Sequence, residues 1–407
     1  MGTFIVEGER ELRGTVSVSG SKNAALPIIF ATLLTHGVSR ISNLPDIEDV
    51  NVALELIAEY GAVISRRGHL TVINTENLNY VIPSTALTER IRASTYLLGA
   101  SLGRFGRACL GSFGGCNFSH RPIDMHLRAA EAYGAERLGD VLEAQAQNPF
   151  TIRFPKRSVG ATVNSLLLAS SVAGESRISG AAGEPHINTL IEFLRSAGAH
   201  IDTAEDTLTI RGGELHGGEV TIPGDMIEAG TYLALSLLND GSVGVEGAEA
   251  PELSGFLFPF ISSGASLVRR GGTLLLRGRL RSRTDITTLP YPGFPTDLQP
   301  IAAPVLGCFL GGSITDTVWE GRFGYLAELQ KMGLSSAVEK NLAEIYPSRL
   351  HSSSVRALDL RGGAACLLAA LTARGESRVE SGELLFRGYE RLCEKLLLLG
   401  AKIRYVS

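Results

Sequence analysis

One pattern recurs six times along the chain: an amphipathic helix, then Gly-Ala or a near match, then a strand. The copies read LELIAEYGAVI, HLRAAEAYGAER, IEFLRSAGAHI, LFPFISSGASL, LAELQKMGLSS and CEKLLLLGAKI. Their glycines are Gly61, Gly134, Gly198, Gly264, Gly333 and Gly400, about 64 to 73 residues apart. Glycine just past a helix takes the left-handed backbone that turns the chain out of it. These six positions are therefore expected at corners between helix and strand.

A second element alternates with the first. It is a helix with apolar residues on nearly every side: NAALPIIFATLL, IRASTYLLGASL, ATVNSLLLASSVA, EAGTYLALSLL, LQPIAAPVLGCFL and GGAACLLAALTA. Short strands follow these helices: SRISNL, RACLGS, SRISGA, SVGVEG, SITDTV and SRVESG. A helix that is apolar all round is buried. Each unit of roughly 68 residues thus carries one buried helix and one surface helix with strands between. A chain of 407 residues is too long for one ordinary core. Three buried helices per domain, walled by sheets, give two similar α/β (α+β) globules. Solenoid stacking is the competing arrangement, but its buried helices would need continuous cover along one axis.

Composition narrows the function. Hydrophobic residues at 44% and charged residues at 20% are globular values. Aromatics at 6%, with a single Trp, argue against stacking platforms for nucleic acid. A net charge of -4 leaves no global basic field, so an anionic ligand needs a local cluster of cations. Cysteines 109, 116, 308, 366 and 393 are odd in number and lack paired short spacing, which argues against disulfides and zinc. The start, MGTFIVEGERELRG, has no apolar signal core, and no uncharged apolar run reaches membrane-spanning length. A cytoplasmic protein with neither membrane nor nucleic-acid partner is the expectation.

Charged residues collect at the mouths of the buried helices: Lys22-Asn23, Arg92, Ser158-Val159-Gly160, Asp225, Asp297 and Asp359-Leu360-Arg361. Asp225, Asp297 and Asp359 have capping chemistry. Lys22, Arg92 and Arg361 do not, because a cation opposes the positive end of the helix dipole. Cations there suggest an anion shared between helix N-termini and side chains. The segment GSFGGCNFSHRPIDMH, around Cys116, combines three glycines with a thiol and Arg121. It reads as a candidate lid at 111–121 carrying an exposed thiol of low pKa.

With these motifs in hand, the chain resembles the UDP-N-acetylglucosamine enolpyruvyl transferases of peptidoglycan synthesis. The resemblance begins at SGSKNAALPIIFATLL (19–34) and continues through IRAS (91–94), GGC (114–116) and RPIDMH (121–126). It goes on with SVGAT (158–162), YPGFPTD (291–297), RF (322–323), DLR (359–361) and RGYER (387–391). It implies a two-domain inside-out α/β barrel of six repeated units, three per domain. The first domain is expected at 21–225, the second at 1–20 plus 226–407. A hinge at the crossings would let the domains close, bringing Cys116 toward Asp297, Arg322, Asp359 and Arg387.

The resemblance also implies a reaction. The enolpyruvyl group of phosphoenolpyruvate passes to the 3-hydroxyl of a UDP-sugar by addition and elimination, phosphate leaves, and no metal or organic cofactor takes part. Lys22, Arg121 and Arg387 match the family's phosphoenolpyruvate contacts, and Arg92, Arg322 and Arg361 match other cations of the cleft. Asp297 matches the candidate base; a helix N-cap after Pro295-Thr296 is the alternative reading of that residue. Cys116 matches the reactive cysteine, assigned both as proton donor and as covalent nucleophile, which implies reaction with fosfomycin. Arg121, Pro122 and Asp124 match the uridine segment, Ser158, Val159 and Gly160 the diphosphate site, and Asn23 a sugar contact. Lys156 adds charge upstream, and Val318 and Asp359 complete the matching set. His126 could hold the ring or a phosphate, but a lone His on an amphipathic helix is more often structural.

The chain departs from the family pattern on the sugar side. NFSH at 117–120 is bulkier than expected, GRFGY stands at 321–325, GGAACLL follows DLR, and 333–357 matches poorly. A transferase acting on another uridine nucleotide, such as UMP in nucleoside antibiotic synthesis, is therefore the second reading. A catalytically dead, nucleotide-binding regulator is opposed by the joint presence of Lys22, Cys116, Asp297 and Arg387. An enzyme of RNA ends, on the fold of the RNA phosphate cyclases, is opposed by charge and aromatic content. The expected partners are small-molecule substrates, with the protein a monomer or a homo-oligomer.

Overall fold

A computed structural model describes residues 2–115 and 121–407. By packing, the chain separates into two compact units. An inserted unit comprises residues 20–115 and 121–223, and a split unit comprises residues 2–19 and 224–407.

Each unit holds three of the apolar helices. In the inserted unit they are Lys22–Ala31, Leu97–Phe105 and Val159–Ser170. In the split unit they are Met226–Leu238, Gln299–Cys308 and Leu360–Thr372. Every residue of Lys22–Ala31 from Ala24 onward is buried, as the lack of a polar face requires. The surface helices are Glu48–Glu59, Asp124–Tyr133 and Pro185–Ser196 in one unit. In the other they are Ser254–Ser262, Tyr325–Gln330 and Leu392–Leu398. The six repeat glycines all have positive φ, from +90° at Gly333 and Gly400 to +118° at Gly264. The spacing argument thus located six left-handed corners.

The five four-stranded sheets among the described residues share one build. Strand Thr151–Arg153 runs parallel to Gly174–Ser179, which the chain reaches through the buried helix Val159–Ser170. Thr207–Gly212 pairs antiparallel on the next side, and His200–Ala204 closes the edge as its hairpin partner. Strands Thr284–Thr288, Gly312–Asp316, Leu342–Tyr346 and Ser335–Glu339 repeat the order.

Two features were not foreseen. The strands that enter the first and fourth repeats are exchanged. Gly14–Ser17, before helix Lys22–Ala31, pairs with Val243–Glu246 in the split unit. Glu219–Thr221, before helix Met226–Leu238, pairs with Val38–Ser42 in the inserted unit. Second, the sixth sheet takes its third strand from the other end of the chain. Thr3–Glu7 lies between Glu376–Glu380 and Lys402–Val406, with Thr3 opposite Val406 and Glu7 opposite Lys402. Phe4 and Val6 point into the core, and Ile5 between them is buried too, as suits an inner strand of the sheet.

The glycines of GGAACLL have a packing reason. A Cβ on Gly362 would lie 2.8 Å from Cβ of Tyr325, and one on Gly363 would lie 2.6 Å from Cδ1 of Leu385. The helix start abuts its neighbours too closely for the Ala-Ser-rich sequence expected there.

Candidate active site

In the split unit two of the matching residues, Arg322 and Arg361, meet Asp297. This residue lies within a 3₁₀ turn, Thr296–Leu298, which leads into helix Gln299–Cys308. Its side chain does not cap that helix, so the N-cap reading is set aside: the residue sits inside the first turn rather than before it. Its Oδ1 accepts from Nη2 of Arg322 at 2.8 Å. Its Oδ2 faces Nε and Nη2 of Arg361, both at 3.4 Å. The two guanidinium groups are buried, whereas the Asp297 side chain is 31% exposed. The carboxylate is thus oriented from within the protein and open on its outer side.

Arg361 is held by its helix and by a ring. Asp359 caps helix Leu360–Thr372, accepting at 2.9 Å from the backbone N–H of both Arg361 and Gly362. The guanidinium lies over the Tyr389 ring, 5.5 Å from its centroid. Burial pulls its pKa down, but Tyr389, Asp297 and Asp225 more than offset this and raise it. Arg361 is therefore a fixed cation. Asp225 caps helix Met226–Leu238, accepting from Ile227 and Glu228 N–H at 2.7 and 3.1 Å. Val318 is half-buried and donates its N–H to Asp316 at 3.0 Å. Arg387 ends the 3₁₀ helix Gly382–Arg387 and is half-buried.

The inserted unit carries the rest. Lys22 opens its helix behind the cap Ser21, and its Nζ donates to Oδ2 of Asp49 at 3.0 Å. Lys22 and Arg361, two of the cations at these helix mouths, each meet a carboxylate of the chain, Asp49 and Asp297. Arg92 opens a 3₁₀ turn and donates from Nη2 to the carbonyl of Arg121 at 2.7 Å. Burial lowers the pKa of its guanidinium. Gly114 donates its N–H to the carbonyl of Thr88 at 3.0 Å, so the described start of the lid segment is anchored beside Arg92. Asn23 is half-buried, Pro122 and Lys156 are exposed, and Asp124 stands exposed in the first turn of its helix.

Ser158 caps helix Val159–Ser170, with Val159 and Gly160 half-buried at its start. Beneath this start lies a buried polar junction. Asn164 donates to the carbonyl of Thr95 at 3.0 Å and accepts from Gly99 N–H at 2.6 Å. Its Nδ2 lies 2.7 Å from Nδ1 of His126. A ring nitrogen facing an N–H2 group accepts, so His126 is neutral here. Burial, and secondarily Arg92, push its pKa down to about 4. The structural reading of His126 agrees with this geometry.

Cys116 lies outside the described residues, as do 117–120. The other thiols are poor nucleophiles. Burial pushes Cys308 and Cys366 up to about 12 and raises Cys109 and Cys393. Among the described residues, no group of three His, Cys, Asp or Glu side chains is placed to hold a metal ion. No helix among them is long and apolar enough to cross a membrane.

Sequence reasoning missed Asp49, Asn164, Thr296, Asp316 and Tyr389. Asp316 left one signal: a lone carboxylate in the strand SITDTV, flanked by threonines.

The model of the EPSP synthase (3-phosphoshikimate 1-carboxyvinyltransferase) family matches residues 6–396. The chain is 40% identical to UDP-N-acetylglucosamine 1-carboxyvinyltransferase 3 of Caldanaerobacter subterraneus subsp. tengcongensis, over 99% of both chains. It is 38% identical to UDP-N-acetylglucosamine 1-carboxyvinyltransferase of Halothermothrix orenii, over 100% of both. Its structure is similar to that of the enolpyruvyl transferase NikO from Streptomyces tendae, with TM-score 0.90 and 26% identity, covering 100% of this chain and 99% of that one. An EPSP synthase from Acinetobacter baumannii, at 16% identity and TM-score 0.73, shares the fold. The chain thus has full-length counterparts and belongs to the enolpyruvyl transferase family, with the UDP-N-acetylglucosamine 1-carboxyvinyltransferases.

Proposed function

We propose that the protein transfers the enolpyruvyl group of phosphoenolpyruvate to the 3-hydroxyl of UDP-N-acetylglucosamine, with release of phosphate. The observation that carries this reading is the partly open Asp297 carboxylate held by Arg322 and Arg361, in a chain that aligns end to end with transferases of that name. Oδ2 of Asp297 has the longer contacts, at 3.4 Å, and is assigned as the atom that takes the hydroxyl proton. The freed oxygen bonds to C2 of phosphoenolpyruvate while C3 gains a proton from the Cys116 thiol. Phosphate then leaves from C2, C3 gives its proton back, and the enol ether is formed.

Lys22, Arg92, Arg121 and Arg387 are assigned to the phosphate and carboxylate of phosphoenolpyruvate, where cations stabilise the charge on the departing group. Asn23, Pro122, Asp124, Lys156, Val318 and the helix start at Ser158–Gly160 are assigned to the nucleotide sugar; N–H groups at a helix start suit a diphosphate. The domains are assigned at 21–225 and at 1–20 plus 226–407. A reactive thiol needs a reducing compartment, which assigns the protein to the cytoplasm. This reaction is the committed step toward peptidoglycan.

Phosphate release with phosphoenolpyruvate and UDP-N-acetylglucosamine tests the reading, with UMP in parallel. Release with the amino sugar is expected, and Asp297→Asn should lower kcat by about 10²- to 10⁴-fold. Absence of release with the amino sugar would refute it, and release with UMP instead would favour another uridine nucleotide as acceptor.

A further inference from the structure

Asp316 ends strand Gly312–Asp316 and is fully buried. Its carboxylate meets donors on every side. Oδ1 accepts from Thr288 Oγ1 at 2.8 Å and from the N–H groups of Val318 and Trp319 at 3.0 Å. Oδ2 accepts from Thr296 Oγ1 at 2.7 Å and from Gln299 Nε2 at 3.5 Å. A socket made of donors fits a group that only accepts, which among side chains is an ionised carboxylate. An asparagine there would turn an N–H2 group toward donors and leave buried groups unpaired.

The arrangement has a direction. Thr296 has one hydroxyl proton, and it is committed to Asp316. Its lone pairs therefore face Arg322, whose Nη1 donates at 2.8 Å. The other terminal nitrogen of Arg322 donates to Asp297. The Arg322 carbonyl accepts from Gln299 Nε2 at 3.2 Å, and Gln299 Oε1 accepts from Tyr325 Oη at 2.6 Å. Both prongs of the guanidinium fork and its backbone are thus fixed.

We propose that Asp316 is a positioning residue for Asp297, acting through Thr296 and Arg322; this rests on Asp297 being the base. Without the Thr296 acceptor, the rigid guanidinium plane of Arg322 loses one of the hydrogen bonds that set its orientation, and the carboxylate it holds moves with it. A displacement on the order of 1 Å at a reacting group costs about 10²-fold in rate. Asp316 also holds the backbone N–H of Val318, so its loss reaches the nucleotide side as well.

The test compares Thr296→Ser, Thr296→Val and Asp316→Asn by steady-state phosphate release. Thr296→Val is expected to lower kcat about 10²-fold while KM for the nucleotide sugar stays within about threefold. Thr296→Ser, which keeps the hydroxyl, should restore kcat. Asp316→Asn should lower kcat comparably and also raise KM. Wild-type kcat in Thr296→Val, or an equal loss in Thr296→Ser, would overturn the proposal. The Nε–H signal of Arg322 in 15N–1H spectra, identified by its loss in Arg322→Lys, gives a readout that needs no turnover. A shifted or broadened signal in both Thr296→Val and Asp316→Asn supports the positioning role, and an unchanged one overturns it. Absence of turnover in the unmodified protein alongside a shifted signal would count against the proposed reaction alone.

Discussion

Glu228 makes the split unit more stable in mild acid than in mild base. It lies fully buried in helix Met226–Leu238. Its Oε1 accepts from Lys395 Nζ at 2.6 Å and its Oε2 from Ser19 N–H at 2.7 Å. Lys395 also donates to Ser19 Oγ at 2.7 Å. Burial raises the carboxyl pKa from 4.5 to about 7, despite Lys395 and Ser19, and Asp225 adds repulsion. An acid whose folded-state pKa is raised binds its proton more tightly in the folded state. Stability is then full below 4.5 and falls as pH rises through about 7. At about 1.4 kcal/mol per pH unit of difference, the whole effect is about 3 kcal/mol, of which about 2.5 falls between pH 5 and 8. The assay is urea unfolding followed by the fluorescence of Trp319, the chain's single tryptophan, which lies in the split unit. The unmodified protein should lose about 2.5 kcal/mol from pH 5 to pH 8 relative to Glu228→Gln, which cannot ionise. Parallel pH profiles for the two proteins would refute the reasoning.

His126 predicts the opposite sign in the inserted unit. Its pKa falls from 6.5 to about 4, so that unit should lose stability as pH drops through this range, and its ring should stay neutral by NMR at pH 5; titration near 6.5 would contradict this. Two repeat glycines should differ when replaced. Gly198→Ala meets nothing closer than Glu214 O at 3.8 Å and should cost about 1–2 kcal/mol of left-handed strain. Gly134→Ala would bring a Cβ to 2.3 Å from Ala146 O, so it should lower the thermal midpoint further, and equal losses would count against the packing argument. Cys116 should form an adduct with fosfomycin by mass spectrometry; an unmodified Cys116 would argue against an activated thiol there.

The repeats were legible because their signals are local. A glycine after an amphipathic helix and an apolar helix after a charged mouth can each be read within a dozen residues. Contacts across long stretches of sequence were not. Lys22 meets Asp49, Asn164 meets Gly99 and His126, and Lys395 meets Glu228, and nothing local marks any of these partners. Asp297 shows the difference within one residue. Its neighbours Pro295-Thr296 suit a cap, yet its partners come from positions 322 and 361. Strand Thr3–Glu7 is a short apolar run in the sequence, and its role as the sixth repeat's missing strand depended on a partner near residue 402.

That strand sets an order on biosynthesis. Residues 20–223 contain both entry and exit strands of their unit, so this half can close while the rest is still being translated. The split unit cannot. Thr3–Glu7 is made about 370 residues before strands Glu376–Glu380 and Lys402–Val406, and both of its hydrogen-bonding edges pair only when these arrive. A chain cut short before residue 376 would hold one finished half and one with no partner for Thr3–Glu7.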